Sequence, residues 1–498
     1  MTDSSESPFD STLDVPLYKQ LYVHLRTAIL TGRLKRGTKL PSTRALASEW
    51  NVSRNTVLNA YQQLLAEGYL ESVEASGTFV ATVSPDLTPA LPTSASRHQF
   101  KESAFSPPRL SRAAQTLVKT PAMPGELPAR SQVYEQRAFS AGMPALDAFP
   151  FELWGKLVAR QVRHITGRAL MYQDTAGYRP LREAIVEHAT VTRRVRCTAD
   201  QIIIVSGSQG GLDLATRTLL NPGDAVWLEE PGYLGARGAL LGAGAKIVPV
   251  PVDREGLNVA IGIERCSEGC LVYLTPSHQF PLGMTMSLAR RLAILAWAGS
   301  SGAYILEDDY DSEYRFAGRP LAALQGLDNA DCVIYIGTFS KVLFPALRLG
   351  YLILPPPLVD PFLAMRKVID IHSPVLEQAA LTDFIAEGHF GRHLRRMRTM
   401  YAERRDILLD AMADLPLEIP ISETGMYCVG WLPAGIDGQI VSEKAVAHDI
   451  QVSPVSKFCM KPLARDGLLL GYAGVDERHI RDGARRLAAA LEETGTMT

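Results

Sequence analysis

Six cysteines in 498 residues, none of them in a C-x-x-C pair, are too few and too scattered for a disulfide framework or a zinc site. They stand at Cys197, Cys266, Cys270, Cys332, Cys428 and Cys459, mostly inside apolar segments, as reduced core thiols do. The chain also lacks any run of about 18 apolar residues, the length a membrane-spanning helix needs. Its opening stretch, Met1 to Asp10, is acidic and polar where a secretory signal requires a basic and then an apolar run. The formal net charge is only -2, so no whole-chain argument for nucleic acid, membrane or acidic partners exists and local charge must decide. Together these absences lead to the expectation of a cytoplasmic protein with no metal centre and no membrane attachment.

What is present is length and apolar content. A chain of 498 residues, 46% of them hydrophobic, is too long for one ordinary domain and builds at least one large core. Composition divides it into residues 1–83, a Pro/Ser/Ala-rich polar stretch at 84–131, and a long region at 132–498. Thr88-Pro89-Ala90-Leu91-Pro92-Thr93-Ser94 and Ser106-Pro107-Pro108 in the middle stretch read as an extended linker.

In the long region apolar runs recur at Gln201 to Val205, Ala225 to Leu228, Lys246 to Val250, Leu271 to Leu274, Ala303 to Leu306, Cys332 to Ile336 and Gly350 to Leu354. Helical patterns lie between several of them. Near-continuous apolar strands with intervening helices predict an α/β domain with a mostly parallel seven-stranded sheet covered on both faces. Ligands of such sheets gather at the carboxyl ends of the strands.

In the first region, Leu17, Leu21, Leu25, Ala28 and Ile29 fall at helical spacing, and Gly32 ends that helix. Pro41-Ser42 opens a second, short helix, and a third begins at Ser53 with Val57, Tyr61, Leu64 and Leu65 on one face. The brief Asn51-Val52 turn between them suits a helix-turn-helix. Tyr69 to Val73 and Thr78 to Val80 read as a hairpin wing. From Val15 to Val83 there are eight Lys/Arg against four Glu, a local +4 of the kind a phosphate backbone attracts.

This segment resembles the winged-helix domain of the GntR family of transcription regulators. The resemblance rests on Leu40-Pro41-Ser42-Thr43-Arg44-Ala45-Leu46-Ala47, Val52-Ser53-Arg54-Asn55-Thr56-Val57, Leu65-Ala66-Glu67-Gly68-Tyr69-Leu70 and Ser76-Gly77-Thr78-Phe79-Val80. It implies that Arg44 meets the DNA backbone, that Ser53, Arg54, Asn55 and Thr56 enter the major groove, and that Gly77 lets the wing approach the minor groove. Leu58 stands where some members carry a basic residue.

Four features of the long region suit pyridoxal 5'-phosphate, which needs an amine, a ring-nitrogen partner, a phosphate cradle and a stacking surface. Thr338-Phe339-Ser340-Lys341, with Arg348 seven residues on, ends one apolar strand in a lysine able to form a Schiff base. Another strand ends in Glu307-Asp308-Asp309-Tyr310, where Asp308 and Tyr310 share a face and Asp309 points away. Ser206-Gly207-Ser208-Gln209 lies between a strand and a helix, so its N–H groups suit an anion, joined by the hydroxyls of Thr338 and Ser340 and the charge of Arg348. Tyr233, after Glu229-Glu230-Pro231-Gly232, is placed to lie over a ring.

From about Arg137 onward the chain resembles the class I, fold-type I aminotransferases. Met171-Tyr172-Gln173-Asp174-Thr175-Ala176-Gly177-Tyr178, Pro231-Gly232-Tyr233, Thr275-Pro276-Ser277-His278-Gln279-Phe280-Pro281-Leu282-Gly283 and the Asp308 and Lys341 segments carry the resemblance. It implies an internal aldimine on Lys341, Asp308 paired with the pyridinium and Tyr310 on the phenolic oxygen. Phe280 replaces the asparagine that usually binds that oxygen, and Leu469 replaces the arginine that usually binds a substrate α-carboxylate.

A winged helix, a linker and an aminotransferase-like domain in this order resemble the MocR subfamily of GntR-type regulators. That resemblance implies a homodimer that binds operator DNA and senses a small amine, an amino acid or the cofactor itself. Two other readings stay open at the level of sequence: a working aminotransferase with an attached DNA-binding module, and a regulator that uses the large domain only to dimerise.

Overall fold

The computed structural model describes residues 9, 15–73, 76–82, 110–120, 137–164, 166–316 and 321–495, without the side chains of 168 and 169. Most of the expected 84–131 linker lies outside these residues. The chain forms two compact units, Met1–Arg109 and Leu110–Thr498.

In the first unit, α1 (Leu17–Leu30) buries Leu21, Leu25 and Ala28 along one stripe. Helix α2 (Thr43–Glu49) starts at Ser42, whose Oγ accepts the Ala45 N–H at 3.2 Å. Helix α3 (Arg54–Ala66) starts at Ser53, whose Oγ accepts the Thr56 N–H at 3.1 Å. It buries Val57, Ala60, Tyr61 and Leu64, the i, i+3, i+4, i+7 face of a helix. The Tyr61 hydroxyl reaches the Pro41 carbonyl at 3.0 Å and ties α3 to the entry of α2. Strands β1 (Leu70–Val73) and β2 (Gly77–Val80) pair antiparallel from Leu70↔Val80 to Val73↔Gly77, completing the wing.

The second unit opens with α4 (Arg112–Val118), a helix inside the stretch the composition marks as linker. After α5 (Phe151–His164) and α6 (Arg179–Arg193) come β3 (Ile202–Val205), α7 (Gly207–Leu219), β4 (Ala225–Glu230) and α8 (Leu234–Gly242). Leu117 of α4 lies against Gly242, where an added Cβ would stand 3.6 Å from its Cδ1. The remaining strands of the sheet are β5 (Lys246–Asp253), β6 (Gly256–Leu257), β7 (Leu271–Leu274), β8 (Tyr304–Asp309), β9 (Val333–Thr338) and β10 (Gly350–Ile353).

These form an eight-stranded sheet in the order β3-β10-β9-β8-β7-β4-β5-β6. The expectation of seven strands is corrected: the seven apolar runs are all strands, and β6, two residues hydrogen-bonded back onto the end of β5, adds the eighth. A two-residue edge strand has no periodicity to announce it. Only β10 and β6 run against the rest. The runs are continuous in sequence because both faces are covered. Ile203, Val205, Val226, Leu228, Leu306, Ile334, Ile336 and Leu352 pack on one face. On the other, Ile202, Ile204, Tyr351 and Ile353 pack in one cluster, and Trp227, Val272, Leu274, Ile305 and Val333 in another.

A second, antiparallel sheet joins β11 (Tyr427–Trp431), β12 (Ser453–Pro454) and β13 (Gly467–Gly471) in the order β11-β13-β12. All six cysteines are unpaired. Among the described residues no helix is long and apolar enough to cross a membrane.

The α2 cap gives a direct check on the first unit. Ser42→Ala is expected to cost about 1 kcal/mol, read as an earlier urea midpoint for the unfolding of that unit.

Candidate functional site

The parallel strands deliver their polar residues to one edge of the sheet. Ser206 follows β3, Tyr233 follows β4, Thr275 to Gln279 follow β7, Tyr310 follows β8, and Ser340 and Lys341 follow β9. Strand β10 runs the other way, and its first residue Gly350 pairs with both Val205 and Thr338, which brings Arg348 to the same edge. This is where open α/β sheets hold ligands, because helix N-termini and loop N–H groups converge there while the strands stay rigid.

Asp308 is 4% exposed. Its Oδ2 accepts the Tyr273 hydroxyl at 2.7 Å, and its Oδ1 is buried with no partner. Burial pushes this carboxyl up to about 7 against the pull of the Tyr273 hydrogen bond, and the charges of Asp309 and Asp311 add to the rise. Asp309 sits on the other side of the strand, bound by Arg193 Nε at 2.6 Å and by the Tyr335 hydroxyl at 2.6 Å. The period-2 alternation thus separates a carboxylate whose one partner is the neutral Tyr273 hydroxyl from one whose Oδ2 is ion-paired to Arg193, while Oδ1 of each is buried without a partner.

Lys341 Nζ donates to the Gly142 carbonyl at 2.8 Å. Gly142 has φ +76, and a Cβ there would stand 3.0 Å from Nζ, so a side chain at 142 would crowd the amine. Desolvation lowers the Lys341 ammonium below its ordinary range, opposed by the charges of Asp311 and Asp308. A lysine held this way gives up its proton more readily than a surface lysine, as an amine nucleophile requires.

Around these groups the other expected residues take distinct places. Ser206 stands at the N-cap position of α7 with no capping bond from its side chain, and Gly207 and Ser208 form the helix's first turn. The guanidinium of Arg348 lies over that turn, with Nη2 on the Ser206 carbonyl at 2.7 Å. At Gly207, φ +75, a Cβ would come within 3.0 Å of Arg348 Nη1, so a side chain there would collide with the guanidinium. Thr338 Oγ1 accepts the Ser340 N–H at 3.2 Å, while Ser340 Oγ is buried and unpartnered. Gln209 turns away: its amide donates to the Gly235 carbonyl at 3.0 Å, bracing the segment that carries Tyr233. The Tyr233 ring lies near-parallel to that of Tyr273, centroids 6.5 Å apart. Burial and Asp308 push its phenol up to about 12, with Arg348 opposing. The Tyr310 hydroxyl oxygen lies 3.1 Å from both His278 Nδ1 and the Tyr427 hydroxyl.

Sequence reasoning left out Tyr273, Gly142, Asp311 and Tyr427. The only advance sign of Asp311 was its place directly after Asp308-Asp309-Tyr310; the others come from segments far away in sequence.

These residues fit pyridoxal phosphate. An unpartnered buried carboxylate oxygen on Asp308 suits a pyridinium N–H. Ser340 Oγ, the α7 N-terminus and Arg348 suit a phosphate, and Lys341 supplies the amine.

In the first unit, Arg44, Arg54 and Asn55 are exposed on α2 and the start of α3. Arg54 Nε lies 3.5 Å from Thr43 Oγ1, a weak contact that leaves the guanidinium available. Ser53 and Thr56 are joined Oγ to Oγ1 at 2.8 Å and share the cap of α3. Gly77 has φ +119 at the head of β2, and a Cβ there would press on Lys39 Cε at 3.0 Å, so this glycine already has a structural reason. Leu58 is partly exposed on α3.

Comparison with known proteins matches residues 17–80 to the bacterial regulatory proteins of the gntR family and residues 138–487 to aminotransferase class I and II. The chain is 41% identical over 496 residues to a probable rhizopine catabolism regulatory protein MocR of Rhizobium meliloti, covering 98% of this chain and 97% of that one. The chain belongs to the MocR-type transcription regulators of the GntR family. A second such regulator, the pyridoxine biosynthesis regulator PdxR of Corynebacterium glutamicum, is 31% identical over 93% of each chain. Among solved structures, the α-aminoadipate aminotransferase LysN of Thermus thermophilus, complexed with N-(5'-phosphopyridoxyl)-L-leucine, is 30% identical with a TM-score of 0.66. The match covers 72% of this chain and 93% of LysN. The MocR-type regulator thus carries a fold-type I aminotransferase-like domain whose cofactor is pyridoxal phosphate.

Asp308 also makes the site testable without ligand. Its folded pKa, about 7, lies above the ordinary 3.8, so the folded state holds the extra proton and stability falls as pH rises through that window. Asp308→Asn is expected to abolish this fall, making the cofactor-free protein more stable at pH 8 by on the order of a few kcal/mol, while weakening pyridoxal phosphate binding. Urea unfolding from pH 5 to 8 and a cofactor titration check both halves.

Proposed function

We propose that this MocR-type regulator binds operator DNA through the exposed Arg44, Arg54 and Asn55, with Ser53 and Thr56 capping α3 beside them, and senses a small amine at Lys341. The observation that carries this reading is a site equipped to hold an amine covalently on a chain that also carries a DNA-reading helix. Bound there, pyridoxal phosphate supplies an electrophilic carbon that bonds primary amines reversibly. The chain's own residues do the rest. Asp308 would hold the proton of the ring nitrogen, Arg348 and the α7 N-terminus would neutralise phosphate charge, and Tyr233 would lie over the ring. Lys341 would hold the cofactor, and whether it is bound or free would bias the domain between two states.

The effector this site favours lacks an α-carboxylate. Leu469, on β13, is fully buried in an apolar cluster with Leu234, Tyr427, Val455 and Phe458, against which Phe280 packs. A leucine there offers no guanidinium to a carboxylate. The same two residues, Phe280 and Leu469, weigh against a working amino-acid aminotransferase. The relative named for rhizopine catabolism favours a metabolite as signal, and the one named for pyridoxine biosynthesis favours the cofactor itself.

The working unit in this reading is a cytoplasmic homodimer. Its support is a set of exposed apolar side chains: Leu170, Met171 and Tyr172 in sequence, Tyr172 with its ring against His372, and Val368, with Tyr172 83% and Val368 85% exposed. A monomer gains nothing by holding such residues in water, whereas a second copy covers them.

Two variants test the two halves. In wild-type protein a saturating amine effector is expected to change operator affinity about 5- to 150-fold, the usual range of allosteric coupling. Lys341→Ala is expected to bind operator with an affinity that no amine changes. Arg54→Ala is expected to lose roughly 10-fold or more in operator binding while sedimenting as the same dimer; full binding by this variant would refute the role given to α3.

A further inference from the structure

Beside the site lies a buried pair that the cofactor contacts described above do not use. His278, on the turn after β7, and Asp311, just past β8, are each 1% exposed, and His278 Nδ1 stands 2.7 Å from Asp311 Oδ2. The imidazole is slotted between two glycines of positive φ. A Cβ on Gly425 would stand 2.2 Å from Cε1, and one on Gly283 would stand 3.2 Å from Nε2. Nε2 is buried without a partner.

This geometry assigns the tautomer. Nδ1 carries the proton and donates it to the carboxylate. A second proton on Nε2 would leave a buried N–H with no acceptor, whereas a bare lone pair there costs less. The imidazole is therefore neutral and the negative charge of Asp311 is held rather than cancelled. Because Nδ1 has no lone pair to offer, Tyr310 sends its proton to the Tyr427 oxygen at 3.1 Å, and Tyr427 sends its own to the Gln279 carbonyl at 3.4 Å. The Tyr310 oxygen, 3.1 Å from Nδ1, keeps a free lone pair. Phe280, in the same turn as His278, contributes no polar side chain.

We propose that His278 and Asp311 form a positioning dyad that keeps a buried negative charge beside Lys341 and fixes the direction of the Tyr310 hydroxyl. The inference rests on the reading of Lys341 as the cofactor-bearing residue and goes beyond it in saying what sets that nitrogen's proton. The titratable groups acting on Asp311 are His278, Asp309 and Lys341. Asp308 is the other carboxylate acting on the lysine, after Asp311. The nearby phenols of Tyr310, Tyr314, Tyr427 and Tyr472 are held well above the ordinary range by burial, so they stay protonated throughout the titration. Burial drives the Asp311 carboxyl up and His278 pulls it back. Removing the imidazole takes away the Nδ1–H bond that favours the carboxylate and is therefore expected to shift Asp311 toward its neutral form, the direction in which replacing Asp311 by asparagine goes outright.

The test is the pH midpoint of the visible absorption change in pyridoxal phosphate-loaded protein, measured with the melting temperature. Asp311→Asn keeps the shape of the side chain and removes the charge, and is expected to lower the midpoint by about one unit or more. His278→Phe is expected to lower it similarly, and the double variant no further, because both changes delete one charge. His278→Asn, whose amide N–H falls where Nδ1 was, is expected to restore most of the wild-type midpoint. Unchanged midpoints in Asp311→Asn and His278→Phe, or additive shifts in the double variant, would overturn the dyad and leave the cofactor assignment standing. A wild-type protein that takes up no pyridoxal phosphate would overturn both.

Discussion

The second unit is organised around the cost of burying a carboxylate that its own side chains satisfy only by half. Asp308 takes one hydrogen bond, from Tyr273, and leaves Oδ1 bare in the interior. An arrangement of that kind costs stability in the empty protein, on the order of 1–3 kcal/mol for an unmet buried acceptor. A group left this way calls for a ligand, an ion or a water to complete it. Lys341 and Ser340 carry the same signature, an amine displaced from its ordinary acidity by desolvation and a hydroxyl without a partner. The sheet makes this strain tolerable. Strands β3, β4, β7, β8 and β9 are buried on both faces and hold their C-terminal residues rigidly at one edge of the sheet, where these groups stand.

Two kinds of polar group stand along the end of β8 and its neighbours. Asp309, whose Oδ2 is held by Arg193 and Tyr335, and Glu307, which accepts the Leu324 and Gln325 N–H groups, are tied to the rest of the protein and fasten β8. Asp308, Ser340 and Lys341 carry the groups whose chemistry suits the cofactor. Adjacent residues of one strand thus divide between holding the fold and offering chemistry, and the two-residue period of the strand enforces the division. In the first unit the division is tighter. Ser53 and Thr56 are consumed in capping α3, which leaves the guanidinium of Arg54 and the amide of Asn55 to meet a partner.

Much of this was legible in the sequence because it is written in short-range pattern. Each of the seven apolar runs is a strand, Ser42 and Ser53 cap the helices they precede, and the Asp308/Asp309 alternation follows from strand geometry. What the sequence did not disclose depends on contacts between distant segments. Strand β6 is too short to show a period and exists because the chain turns back on β5. The small sheet of β11, β12 and β13 joins strands far apart in sequence, and only there does Leu469 become a buried wall residue. Helix α4 hides in a proline- and serine-rich stretch, visible only through the Ser111 cap and the contact of Leu117 with α8. His278 and Asp311 lie 33 positions apart and are paired by the adjacency of β7 and β8.

The central claim is that Lys341 bears the cofactor. Borohydride reduction of the purified protein incubated with pyridoxal phosphate, followed by peptide mass mapping, reads it directly. The account predicts a single pyridoxyl group, on the peptide that contains Lys341, with loss of the visible absorption on reduction. An unmodified Lys341 peptide in protein saturated with the cofactor, or labelling spread over surface lysines, would contradict it.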